Sequence, residues 1–191
     1  MDSTTVLDLF RRCGGLLEGH FQLSSGLHST GYLQCAQVLQ HPEHAAALGR
    51  ALAEQATRLE PDLVLSPALG GVIIGHEVGR ALGVRAPFAE RLDGELGLRR
   101  GFRIEPGERV LVVEDVVTTG GSTRETIAVA TAAGGTVVGV AAIIDRGEAP
   151  VRFDVPFDTL VQIPLPAHEP SECPRCANGE PLLKPGSRLG Q

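Results

Sequence analysis

Apolar positions follow two periods along this chain, one helical and one alternating, and segments of the two kinds take turns as far as about residue 144. Between Asp2 and Cys13, Val6, Leu7, Leu9 and Phe10 fall on one helical face, with Ser3 and Thr4 as capping candidates and Gly14-Gly15 as a stop. From Gly19 to Leu33 the pattern alternates weakly and is dense in Gly and Ser, which predicts a strand, a tight turn and a second strand. His41-Pro42-Glu43 opens a helix to about Leu59, Pro42 suiting its first turn. Asp62 to Ser66 reads as a buried strand, Ala68-Leu69-Gly70-Gly71 as a turn, and Val72 to Leu82 as a helix closed by Gly83.

A polar stretch from Glu90 to Arg103 carries Arg91, Arg99 and Arg100 and predicts a long exposed loop or hairpin, ending in the turn Glu105-Pro106-Gly107-Glu108. Arg109 to Val113 is the most apolar strand candidate, followed by two acids, a glycine turn and a helix from about Ser122 to Ala133. Thr136 to Ile144 is another β-rich run. Strands alternating with helices imply a parallel sheet with right-handed crossovers, so the fold class is α/β. Beyond Asp145-Arg146-Gly147 the prolines multiply (Pro150, Pro156, Pro164, Pro166, Pro170, Pro174, Pro181, Pro185), which favours short edge strands and an irregular tail.

Length and composition sharpen this only at the margins. The 191 residues suit one domain with an ordinary core, and 42% hydrophobic with 21% charged residues describes a globular chain. No run approaches the roughly 18 apolar residues of a membrane span, and Met1 to Thr5 lacks a signal-peptide pattern, so the expected location is the cytoplasm, away from membranes. A net charge of −6 opposes broad binding to a phosphate backbone, so nucleic acid is not an expected partner. Four cysteines (Cys13, Cys35, Cys173, Cys176) are too few and too scattered for a disulfide framework.

The chemistry concentrates in Val110-Leu-Val-Val-Glu114-Asp115-Val116-Val117-Thr118-Thr119-Gly120-Gly121-Ser122-Thr123. Ligands of open α/β sheets bind beyond the carboxyl ends of strands. Gly120 and Gly121 let backbone amides approach a phosphate, the hydroxyls of Thr118, Thr119, Ser122 and Thr123 add donors, and the helix N-terminus adds a favourable dipole. Glu114 and Asp115 would repel a bare phosphate but accept hydrogen bonds from vicinal sugar hydroxyls beside one. The segment therefore fits a ribose bearing a 5-phosphate. Neither G-x-G-x-x-G nor G-x-x-x-x-G-K-[ST] is present, which removes the dinucleotide and Walker alternatives.

This segment resembles the phosphoribosyl pyrophosphate motif of the type I phosphoribosyltransferases. Phe21-Gln-Leu-Ser24-Ser25-Gly26-Leu-His28-Ser29 with Tyr32, Pro67-Ala68-Leu-Gly70-Gly71, Leu98-Arg99-Arg100-Gly101-Phe102 and Ile144-Asp145-Arg146 resemble the orotate phosphoribosyltransferases in particular, and the likeness extends into the tail. The resemblance implies a central, mostly parallel sheet flanked by helices, with a small hood. One domain over 1–191 is expected, the hood at about 14–40 with part of the tail and the core at about 41–165. The implied reaction transfers ribose-5-phosphate from 5-phosphoribosyl 1-pyrophosphate (PRPP) to orotate, giving orotidine 5′-monophosphate and pyrophosphate. Magnesium would accompany the pyrophosphate, no resident metal ligands are assigned, and the expected working unit is a homodimer.

Residue by residue, the resemblance implies PRPP contacts from Glu114 to Ser122 and from Arg91, Arg99 and Arg100 on a mobile loop, with Glu114, Asp115 and Arg91 closest to the chemistry. Orotate would meet Arg146, Thr118 and the Ser24-Ser25-Gly26 turn. Family members place lysines in the hood loop, after the Pro-Ala turn and in the mobile loop, whereas this chain has Ser24 and Gly70 at the first two positions and a single lysine, Lys184, in all. Arginine cannot readily supply a proton to the departing pyrophosphate. His20 and His28 are given no role. Cys173-Pro-Arg-Cys176 looks like half a zinc knuckle with His168 as a third ligand, against the plainer expectation of two thiols packing an irregular tail. Two other functions remain open from sequence: transfer to a different nucleobase, and a non-catalytic regulator that keeps the ribose-phosphate pocket as a sensor.

Overall fold

The structure, a computed structural model, describes residues 1–23, 25–147 and 151–185. Helix α1 (Ser3–Arg12) is capped by Asp2, whose carboxylate accepts from the Thr5 amide at 2.9 Å, rather than by Ser3 or Thr4. Strands β1 (Leu16–Gln22) and β2 (His28–Leu33) form the expected antiparallel hairpin. A short helix α2 (Ala36–Leu39) precedes α3 (Pro42–Ala56), which starts on Pro42 and tightens into a 3₁₀ turn over Thr57–Leu59.

Strand β3 (Leu63–Pro67) leads into α4 (Gly70–Leu82), so the helix begins two residues earlier than the apolar pattern indicates. The Glu90–Arg103 segment resolves into a hairpin, β4 (Phe88–Leu92) with β5 (Glu95–Leu98). Then come β6 (Arg109–Val117), α5 (Gly121–Ala132) and β7 (Thr136–Asp145). The tail adds β8 (Phe157–Gln162), β9 (Ala167–His168) and a one-turn helix α6 (Pro174–Ala177).

Six strands form the main sheet in the order β5-β4-β3-β6-β7-β8, parallel except for β5, and β1-β2-β9 form a small antiparallel hood sheet. The apolar runs of β3 and β6 are buried on both faces, as parallel strands covered by helices must be. Val64, Leu111 and Val113 pack with α3 and α4, while Leu63, Leu65, Val110 and Val112 face the core that includes Ala130 of α5. From β3 the chain crosses by α4 to β4 on one side, and from β6 it crosses by α5 to β7 on the other. The strand order thus reverses between β3 and β6, the crevice where open α/β sheets bind ligands.

Candidate active site

Strand β6 carries the two acids inside it, not after it, because its pairing with β7 continues from Arg109 to Val117. Alternation then sends neighbouring side chains to opposite faces. Glu114 shares the face of Val110 and Val112, toward α5, and its Oε1 accepts from the Ser122 hydroxyl at 2.7 Å. Asp115 shares the face of Leu111 and Val113, toward α4. A Cβ at Gly70 would lie 2.8 Å from Asp115 Oδ1, so glycine is what lets the first turn of α4 approach that carboxylate. The Ala68-Leu69 peptide just before it is cis.

Burial dominates the acids. It raises Glu114 to about 7, the nearby Asp115 charge adding to the rise and the Ser122 hydrogen bond opposing it. Burial likewise raises Asp115, against the Val116 amide, which donates at 2.9 Å, and the Cys35 thiol, which donates from the core beneath. Neither carboxylate has an ion-pair partner among the described residues. Two desolvated acids with no cation suit a ligand that brings positive charge or hydroxyl donors with it.

Beyond the acids, Glu114, Val116 and the run from Val117 to Thr123 line a cavity of about 140 Å³. Gly120, at φ +76°, turns the chain into α5, and no side chain caps that helix. Its first amides are therefore available to an anion, with the dipole behind them. A Cβ on Gly120 would meet Val151 and Phe153 at 2.9 and 3.0 Å, in a backbone region that L-residues avoid. Gly120→Ala is expected to cost about 1–3 kcal/mol of stability, measured by thermal unfolding.

Arg146 follows β7, and its amide donates to the Val117 carbonyl at 2.9 Å, which brings it beside Thr118. Its Nε is buried with no hydrogen-bond partner among the described residues, and burial lowers its affinity for its proton. No ion pair joins it to Asp145, whose Oδ1 instead accepts from the Gly147 amide at 3.0 Å. Glu148, the other alternative partner, lies outside the described residues, as does Ser24. Ser25 and Gly26 form the tip of the β1-β2 hairpin, with the Gly26 amide bonded to the Leu23 carbonyl at 2.9 Å.

The loop arginines do not border this cavity. Arg91 pairs with Glu125 of α5, and Arg100 grips Glu90 through two hydrogen bonds of 2.7 Å and lies over the Phe88 ring. Arg99 is exposed in the turn after β5.

The phosphoribosyl transferase domain pattern matches residues 34–167. The chain is 54% identical over 191 residues to the orotate phosphoribosyltransferase of Heliobacterium modesticaldum, covering 98% of this chain and all of that one. It is 50% identical over 188 residues to that of Caldanaerobacter subterraneus subsp. tengcongensis, covering 98% and 99%. The chain belongs to the orotate phosphoribosyltransferase family. Among solved structures, the Mycobacterium tuberculosis orotate phosphoribosyltransferase in complex with PRPP superposes with a TM-score of 0.66 at 25% identity, over 85% of this chain and 97% of that one. The family fold, a mostly parallel six-stranded sheet with helices and a small antiparallel hood, is the one expected from sequence.

Two groups of residues carry no signal in the sequence pattern. Cys35 supports Asp115 from the core, and nothing in a single buried cysteine signals that contact. His20 and His28, given no role, lie against Cys173 and Cys176, whereas His168, the expected third ligand, pairs with His28 only along the backbone of β2 and β9.

Proposed function

We propose a division of labour among these residues for transfer of ribose-5-phosphate from PRPP to orotate, the family's reaction in pyrimidine biosynthesis. One observation carries it: buried Glu114 and half-buried Asp115, neither paired with a cation among the described residues, stand at the strand-order reversal beside an uncapped helix N-terminus. The amides and hydroxyls of Thr118 to Ser122 hold the 5-phosphate. Glu114 and Asp115 accept hydrogen bonds from the ribose hydroxyls and stabilise the positive charge that grows on the ring as pyrophosphate departs. Arg146 and Thr118 receive orotate, its carboxylate meeting a guanidinium whose Nε has no partner among the described residues, and the Ser24-Ser25-Gly26 turn covers the base from the hood.

Magnesium fits this donor set, since it takes one or two carboxylate oxygens together with substrate phosphates, and Glu114 and Asp115 are such donors. Its charge would neutralise the departing pyrophosphate. Arg91 and Arg100 reach pyrophosphate by exchanging their pairs with Glu125 and Glu90 for phosphate oxygens when the hairpin closes, and exposed Arg99 joins them. Closure also excludes water from the activated sugar. A homodimer acting in the cytoplasm completes the reading. No helix among the described residues is long and apolar enough to cross a membrane.

The test is a panel of bases offered with PRPP and magnesium. Orotidine 5′-monophosphate is expected from orotate, with adenine, hypoxanthine and uracil left unconsumed; consumption of another base in place of orotate would reassign the acceptor site.

A further inference from the structure

Far along the chain from the acids, four potential ligand atoms converge where the tail meets the hood. His20 of β1, His28 of β2, and Cys173 and Cys176 flanking the start of α6 each offer one atom, and all four atoms lie within 4.8 Å of one another. Three of the four residues are buried, and Cys176 closes the open side. We propose that these residues form a structural zinc site that pins the tail onto the hood.

The distances have the shape of a coordination shell. His20 Nε2 stands 3.1 Å from His28 Nδ1, 3.4 Å from Cys173 Sγ and 3.6 Å from Cys176 Sγ, and His28 Nδ1 stands 3.2 Å from Cys176 Sγ. In tetrahedral zinc, with Zn–N near 2.0–2.1 Å and Zn–S near 2.3 Å, the edges are about 3.3 Å between nitrogens and about 3.6 Å between nitrogen and sulfur. Four of the six edges thus equal or fall slightly short of the zinc values, and the other two, His28 to Cys173 and Cys173 to Cys176, lie within 4.8 Å.

Hydrogen bonding alone does not account for it. His20 Nδ1 lies 3.0 Å from the Glu180 carbonyl, which can only accept, so Nδ1 carries the proton and Nε2 of the neutral ring carries a single lone pair. Three polar atoms crowd that one lone pair. A metal ion at their common centre satisfies all of them, and the Nδ1–H to carbonyl bond is the outer support that orients a zinc-bound histidine. Two thiolates also neutralise Zn²⁺, so the buried site carries no net charge, and their two protons leave on binding.

Local structure presents the ligands. The Leu183 amide donates to the His20 carbonyl and the Gln22 amide to the Leu183 carbonyl, both at 2.8 Å, which lays the tail beside β1. Arg175, between the cysteines, pairs with Glu180, the residue whose carbonyl holds His20. The ligands span residues 20 to 176, so the ion would close a long loop that the short strands of the hood hold only weakly.

The experiment uses the full chain purified with zinc sulfate, then desalted. Elemental analysis is expected to find roughly one tightly held zinc per chain. Exchange for cobalt should give the visible bands of tetrahedral Co²⁺ and a thiolate-to-metal charge-transfer band. Cys176→Ser and His28→Ala should lose the metal, while His28→Cys, which restores a ligand, and His168→Ala should retain it. Folded parent protein that holds less than about a tenth of an equivalent of zinc, gives only the weak bands of octahedral cobalt, or isolates with a Cys173–Cys176 disulfide after reducing purification would overturn the proposal. Because the parent protein alone decides the outcome, a variant that fails to fold leaves the answer intact.

Discussion

Glu114→Gln is expected to slow turnover about a hundred- to a thousandfold while making the unliganded protein more resistant to unfolding above pH 7. On the proposed assignment, the loss follows from removing one of two negative groups that face the developing ring charge. The gain follows from burial. In the folded chain Glu114 binds its proton with a pKa of about 7, against 4.5 for the ordinary side chain. The folded state therefore holds more protons than the unfolded state between these values. Stability falls as pH rises from about 4.5 to about 7 and is flat above, the sign appropriate to a carboxyl whose folded pKa is raised.

A neutral amide of the same shape escapes that penalty, and the variant should gain on the order of 2 kcal/mol at pH 8 and little at pH 4. Melting curves at the two pH values check the stability half. Steady-state kinetics check the other: kcat/KM for PRPP should decline below about pH 7 in the parent through protonation of Glu114, and this component of the limb should be missing from the variant. A variant that melts lower than the parent at pH 8 would mean that the carboxylate is compensated before substrate arrives.

Arg146→Ala is expected to raise the KM for orotate from about thirtyfold to above a thousandfold, corresponding to about 2–5 kcal/mol, with the KM for PRPP changed far less. The asymmetry between the substrates is the informative part. A guanidinium whose Nε is buried without a partner among the described residues is costly in the free protein, so on the proposed assignment its removal should also leave the melting temperature level or higher. Parallel increases in both KM values would assign Arg146 to the shape of the loop after β7 rather than to the base.

Much of the fold is legible because burial writes itself as period. Val110 to Val113 and Leu63 to Leu65 are apolar on both faces, which marks covered parallel strands, and Gly83 and Gly134 mark helix ends. The same logic stops β6 short at Val113. Glu114 and Asp115 are polar residues inside a strand, and only the pairing with β7 shows that the ladder continues through them. At α1 the pattern offers Ser3 and Thr4 as caps, but side-chain geometry selects Asp2, one residue earlier.

The phosphate loop is contiguous, so its chemistry can be read from neighbours in sequence. Contacts made across the fold cannot. Arg91 and Arg100 look alike as loop cations, but their pairing with Glu125 and Glu90 depends on how the β4-β5 hairpin lies. The approach of Gly70 to Asp115 requires α4 and β6 to be placed first. His20 and Cys173 are 153 residues apart, and no local pattern ties a histidine in a weakly alternating strand to a cysteine in a proline-rich tail.

The hood sheet takes β1 and β2 from the first part of the chain and β9 from near its far end, whereas every strand of the main sheet lies between Leu63 and Gln162. During synthesis the main sheet can assemble as its strands emerge in turn, but the first hairpin must wait for residues 167 to 183 before its edge is covered. The hood is thus the region of highest contact order and the last to be completed. Until then β2 presents an open edge, which makes the nascent hood, rather than the apolar sheet, the place where newly made chains are most exposed to pairing with one another.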